Sequence, residues 1–127
     1  MKTILVDAIN GLVLKDGSIL EPMYELLEGY PNSKLVLTGA NDEQFKQFKL
    51  DQVPYEVFTL KHNPEKTDPL YFKILLEKYG LMPSEVVYFE HNAEAADIAR
   101  SAGITTYFYD HTKEDMVGLK QFLDESL

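Results

Sequence analysis

Side chains suited to handling an anion stand just beyond short apolar runs along the sequence. Asp7 follows Thr3-Ile4-Leu5-Val6, Thr38-Gly39 follows Leu35-Val36-Leu37, and Glu90-His91-Asn92 follows Val86-Val87-Tyr88-Phe89. Lys61 and His62 come after the run Tyr55 to Leu60, and Asp110-His111 after Ile104 to Tyr109. A carboxylate can attack an electrophilic centre, while a hydroxyl and an ammonium hold the charge that develops. A polar residue where a strand meets water is ordinary at any single position, so the argument rests on the combination.

That combination has meaning only if the elements bring it together. The apolar runs alternate with segments of helical period and read as repeated β-α units. Asp7 to Leu20, with Asp16-Gly17 between apolar residues, reads as a small hairpin or flap. Pro22 opens a helix whose Met23, Leu26, Leu27 and Tyr30 share one face. Asn41 caps a short helix through Gln44, with Phe45 and Phe48 inward. Asp68-Pro69 starts a helix with Phe72, Leu75, Leu76 and Tyr79 on its apolar stripe, and Gly80 ends it. Asn92 caps an Ala-rich helix that runs to Ala102 and is closed by Gly103, while Thr112 with Asp115 reads as a capping box for the last helix, facing Met116, Leu119 and Leu123 inward. Tyr107, Phe108 and Tyr109 read as core, Lys61 as solvated, and His62 and His111 as surface. Tyr55 to Leu60 is the least apolar strand and is placed nearest an edge. Five strands alternating with helices predict an α/β fold: a five-stranded parallel sheet in a three-layer αβα sandwich, Rossmann-like, with ligands beyond the carboxyl ends of the strands.

Composition narrows the partners. The 127 residues carry a net charge of −9, a single arginine (Arg100) and no cysteine. Nucleic acid and anionic membranes reward clustered Lys and Arg, so neither is expected as a partner. Disulfides, zinc-thiolate sites and thiol nucleophiles are excluded. No run approaches a signal or membrane-spanning segment, and the expectation is one cytoplasmic domain over residues 1–127.

The order of the strand-end residues resembles the haloacid dehalogenase (HAD) superfamily over nearly the whole chain. Ile4-Leu-Val-Asp7-Ala-Ile9-Asn10-Gly11-Leu12 is similar to its first motif, Asp-x-Asp-Gly-Thr after a strand. Thr38-Gly39 is similar to the second, Lys66-Thr67-Asp68-Pro69 to the third, and Val86 through Gly103-Ile104 to the strand-to-helix fourth. The resemblance implies catalytic roles for Asp7, Thr38 and Lys66, substrate contacts at Asn10, Gly39, His91 and Asn92, and Mg²⁺ with Asp7 and Glu90 as candidate ligands.

The sequence departs from the family pattern where the metal and proton chemistry reside. Ile9 replaces the second Asp, which is the family's general acid/base. Aligned on Gly103, the fourth motif's Gly-Asp pair falls on Glu90-His91 and its second acid on Ala95. Imidazole is a poor ligand for Mg²⁺, which wants hard oxygens in a near-octahedral shell. His91, if it faces Asp7, can pair with the carboxylate and stand where the metal would be. The expected function is therefore a HAD-like hydrolase fold that acts on or binds a small phosphate-type anion, or a phosphorylated partner, with Mg²⁺-phosphatase machinery degraded. The alternatives are a metal-free HAD hydrolase, or a non-catalytic binding or scaffold protein (a pseudoenzyme). The dehalogenases of the superfamily also lack the second motif-one Asp and carry an Asn where Asn92 stands, but they have a helical cap. Only about thirty residues separate Asp7 from Thr38, and again Thr38 from Lys66, leaving no room for an inserted cap. The resemblance to capless members of the family then implies either a large substrate or a homo-oligomer that covers the open rim. A receiver-domain reading fails because Leu60-Lys61-His62 stands where its phosphorylated Asp belongs.

Overall fold

A short run of β-branched and aliphatic residues between turn formers satisfies its backbone by pairing and buries both faces when helices cover the sheet. The computed structural model describes residues 1–127. Its elements run β1 (Thr3–Asp7), α1 (Glu21–Glu28), β2 (Lys34–Thr38), α2 (Asp42–Gln47), β3 (Glu56–Thr59), α3 (Pro69–Tyr79), β4 (Val86–Glu90), α4 (Ala93–Ser101), β5 (Thr105–Phe108) and α5 (Met116–Ser126), with single 3-10 turns at Leu50–Gln52 and Pro83–Glu85. The strands form one parallel sheet in the order β3-β2-β1-β4-β5. The α/β three-layer architecture and the edge position of the third strand are as the sequence predicts.

Alternation along the central strands divides the core in two. Ile4 and Val6 of β1, with Val87 and Phe89 of β4, pack with Met23 and Leu27 of α1 and Leu119 and Leu123 of α5. Leu5 of β1 and Tyr88 of β4 face the opposite side, against Phe72, Leu75 and Leu76 of α3 and Ala99 of α4. Register then sets the site: Val6 lies beside Phe89 and Asp7 beside Leu37, so Asp7 and Glu90 end adjacent strands on the same rim.

The caps act at the predicted positions on three helices. Asn41 and Gln44 bond reciprocally at the start of α2. The Asp68 carboxylate accepts from Leu70 N at 2.9 Å ahead of Pro69, and Gly80 ends α3 in the left-handed region (φ +62°). Asn92 accepts from Ala95 N at 3.0 Å at the head of α4. The last helix differs from expectation. Its cap is Asp115 alone, accepting from Gly118 N at 3.0 Å, whereas the Thr112 hydroxyl donates back to Asp110. Four residues reached the right spacing for a capping box, but the Asp110 carboxylate takes the Thr112 hydroxyl first.

Strand five corrects a second expectation: Tyr109 is fully buried, but Tyr107 is half-buried and Phe108 is exposed, because β5 is a sheet edge. Between β1 and α1 the flap is present, with Val13 bridging antiparallel to Ile19 and Ser18 folded back on Asp16. Gly11 is required there. A Cβ on it would lie 2.2 Å from the Asp7 carbonyl oxygen, so Gly11→Ala is expected to displace the turn that follows Asp7 and to lower the urea midpoint of unfolding. An unchanged midpoint would mean that the turn relaxes freely. No helix is long and apolar enough to cross a membrane.

Candidate active site

Two strand ends and one loop build the site. β1 delivers Asp7 and β4 delivers Glu90, both 1% exposed, and the loop before α3 swings Lys66 over them. Lys66 Nζ donates to Asp7 Oδ1 at 2.8 Å and to Glu90 Oε1 at 2.9 Å. His91, one residue past β4, donates its backbone N–H to Asp7 Oδ2 at 2.9 Å and sets ring Nδ1 against the same oxygen. The ring nitrogen is also 3.2 Å from Glu90 Oε2, which accepts the Asn92 N–H at 3.1 Å. The Tyr88 hydroxyl donates to Glu90 Oε1. Two carboxylates, both buried, and two part-buried basic side chains thus compensate one another, where an unpaired buried charge would cost several kcal/mol.

Each group shifts for a definable reason. Burial pushes the Asp7 carboxyl above its ordinary range and the neighbouring Glu90 charge adds to this, against the pull of Lys66 and His91. Burial also acts on Glu90, but the Lys66 charge and the hydrogen bonds it receives outweigh it and hold it well below the usual range. Burial opposes the charge on Lys66, and the two carboxylates overcome it, holding the ammonium firmly protonated. Burial likewise lowers His91, yet its bonds to Asp7 and Glu90 raise it to about 9. An imidazole raised from its ordinary value near 6.5 contributes stability that is fully present below that pH and lost as pH rises through about 9. Proton NMR of the His91 ring is expected to show titration near pH 9, with a parallel fall in unfolding free energy between pH 6.5 and 9 that His91→Gln removes. A ring titrating at its ordinary value would contradict the pairing with Asp7.

A cleft of about 250 Å³ opens over this cluster. Of the residues singled out in the sequence, Asp7, Thr38, Gly39, Lys66, Glu90, His91 and Asn92 all line it. Thr38 is held from below: its carbonyl accepts the Tyr71 hydroxyl at 2.8 Å, and its Oγ1 accepts the Ala40 N–H at 3.1 Å, which leaves the hydroxyl proton free to donate. Asn10 does not reach the cleft wall; its backbone is left-handed (φ +65°) and its N–H donates to the Val13 carbonyl, so it makes the turn of the flap. Ile9 and Ala95 also line the cleft. Lys61 is exposed and pairs with Asp42 at 3.0 Å.

Three features escape the sequence reading. His62 is exposed, as expected, but it also lines the mouth of the cleft with Glu65, and His111 packs its ring edgewise on His91 at 5.0 Å between centroids. Tyr71 and Tyr88 enter the core ring-first and bring their hydroxyls to Thr38 and Glu90. The i, i+3 spacing of His62 and Glu65 was the one available signal; the tyrosines lie within apolar runs and gave none. Asp7, Glu90 and His91 each offer a ligand atom within 4.8 Å of the others, a group that could hold a metal ion.

No protein-family model matches the sequence, and no curated protein does. Solved structures do. A HAD-family enzyme of Bacteroides thetaiotaomicron, in complex with magnesium and inorganic phosphate, superposes with a TM-score of 0.71 at 16% identity over 94% of this chain and 98% of that one. A dehalogenase with an intermediate complex matches at 0.55 and 25% identity over 68% and 40% of the two chains. A haloacid dehalogenase-like protein of unknown function from Agrobacterium tumefaciens matches at 0.61 and 15% identity over 84% and 61%. The fold is therefore that of the HAD-like superfamily, in a small form with only the flap after β1 and no cap between the strands. Within that fold Ile9, His91 and Ala95 line the cleft beyond β1 and β4.

Proposed function

We propose that this protein takes a small phosphate-type anion at Thr38, Gly39 and Lys66, and that the magnesium-phosphatase chemistry of the fold is degraded in it. The observation that carries this is the occupancy of the carboxylate oxygens. Asp7 Oδ1 accepts from Lys66 and Oδ2 from His91; Glu90 Oε1 accepts from Lys66 and Tyr88, and Oε2 from Asn92. Mg²⁺ needs hard oxygens, and the remaining donor of the group is an imidazole nitrogen, a ligand of softer ions. The donor set does not fit Mg²⁺.

The residues left can still hold an anion. Lys66 spends two N–H groups on Asp7 and Glu90 and keeps a third, and Thr38 keeps its hydroxyl proton. Ile9 cannot deliver a proton to a leaving group, a contribution worth about a hundred- to ten-thousand-fold in rate. With both Asp7 oxygens engaged, a non-catalytic binding protein is the second reading.

The test has two parts. Inorganic phosphate added without Mg²⁺ is expected to shift the Gly39 and Lys66 amide resonances saturably, and aryl-phosphate turnover is expected to stay near background with or without Mg²⁺. Robust turnover abolished by EDTA and by Asp7→Asn would overturn the proposal.

A further inference from the structure

The mouth of the cleft carries one more acid-base pair, outside the Asp7–Glu90 cluster. His62 Nδ1 lies 3.0 Å from Glu65 Oε2, and His62 Nε2 lies 2.5 Å from Gln44 Oε1. Both partners sit directly over Gly39: a Cβ built there would be 3.3 Å from His62 Nδ1 and 3.5 Å from Glu65 Oε2. Glu65 thus holds a carboxylate beside the loop at which the anion is placed, next to Lys66 in sequence and in the same cleft wall.

The loop is built to keep His62 there. Lys61 and His62 are successive non-glycine residues with left-handed backbone, φ +54° and +64°, a conformation that residues with a Cβ seldom adopt even singly. It is held by two ties to the neighbouring segment, Lys61 to Asp42 at 3.0 Å and the Thr59 hydroxyl to the Ala40 carbonyl at 2.6 Å. Charge gives the arrangement a purpose. Lys66 and His91 are matched by Asp7 and Glu90, so an entering anion finds little net positive charge in the depth of the cleft. His62 is the remaining basic side chain lining it, and Glu65 already occupies it.

We propose that Glu65 is an internal competitor for the anion site: its carboxylate takes the His62 N–H above Gly39, and a bound phosphate-type group takes that N–H in its place. His62 is then an anion contact, and Glu65 is a selectivity residue that excludes ligands too weakly charged to displace a carboxylate. This rests on the anion-binding reading given above. Both side chains are well exposed, so substitutions there leave the core untouched.

Inorganic phosphate is titrated into the wild-type protein, Glu65→Gln and His62→Gln, following the Gly39 amide and the His62 ring by NMR. Glu65→Gln is expected to bind phosphate about five- to tenfold more tightly, since one like charge at close range is removed. His62→Gln is expected to bind several-fold more weakly, and the wild-type ring resonances are expected to move with the Gly39 amide. Equal or weaker binding by Glu65→Gln, with the Gly39 amide still responding, overturns the competitor role alone. No Gly39 response in any of the three proteins overturns the anion-binding reading, and the competitor role with it.

Discussion

Lys66→Met is expected to lower the free energy of unfolding by about 3–5 kcal/mol, read from urea denaturation, because it leaves two buried carboxylates with the His91 ring as their one cationic partner. Asp7 and Glu90 are each 1% exposed beneath Lys66, and the apolar methionine that replaces it offers neither of them a donor. The cost is that of a stranded charge, not the worth of an ion pair. The double variant Lys66→Met/Glu90→Gln therefore separates the two: removing one carboxylate with its cation is expected to restore more than half of the loss. A loss under about 1 kcal/mol for the single variant would mean that Asp7 escapes by taking up a proton at little cost, and that the cluster is not held together by Lys66.

The second large effect is a gain. His91→Asp with Ala95→Asp is expected to create Mg²⁺ binding stronger than that of the wild type. The first change removes the imidazole from Asp7 Oδ2, and the second adds a carboxylate at a cleft-lining position in the first turn of α4. Together they supply the oxygens that Mg²⁺ requires. With a dissociation constant of about 1 mM, about 10 mM Mg²⁺ would stabilise the double variant by roughly 1.4 kcal/mol, visible as a metal-dependent rise in melting temperature reversed by EDTA. Ala95 is itself buried, so the double variant is expected to be less stable than the wild type in the absence of metal. Calorimetry showing no Mg²⁺ binding to the folded double variant would mean that the loop after β4 cannot close on a cation beside Asp7. Ile9→Asp is best added only afterwards, because Ile9 packs against the core of the α1 and α5 face.

Much of this was legible in the residues because parallel α/β folds concentrate their information locally. A strand such as Ile4-Leu5-Val6 is apolar on both faces, Asp68-Pro69 and Gly80 bracket a helix, and the residue after each strand falls on one rim. Asp7, Thr38 and His91 could be grouped on that ground alone, whereas Lys66, in the loop before α3, was singled out only by the resemblance of Lys66-Thr67-Asp68-Pro69 to the third motif. What was not legible depends on distances across the sequence. Whether Thr112 or Asp115 caps α5 is decided by a competing carboxylate at Asp110, and the exposure of Phe108 by the edge position of β5. His62 is exposed as its sequence suggests, but its place over Gly39 follows from two successive left-handed residues, which the Asn63-Pro64 turn signal beside them does not specify.

The central position of β1 has a consequence for how the chain comes into being. Of these five strands the earliest made, β1, is the middle of the sheet, and its second neighbour, β4, is not complete until residue 90. Asp7 meets its His91 donor only across 84 positions of sequence. Contacts of that span must wait for most of the chain and carry the loop-closure entropy of everything between. During synthesis β1 can pair with β2 on one side, while its other edge, Thr3 to Val6, stays open to any strand that approaches. The fold is therefore one that closes late, and the same step that completes the sheet also brings Asp7, Glu90 and His91 together.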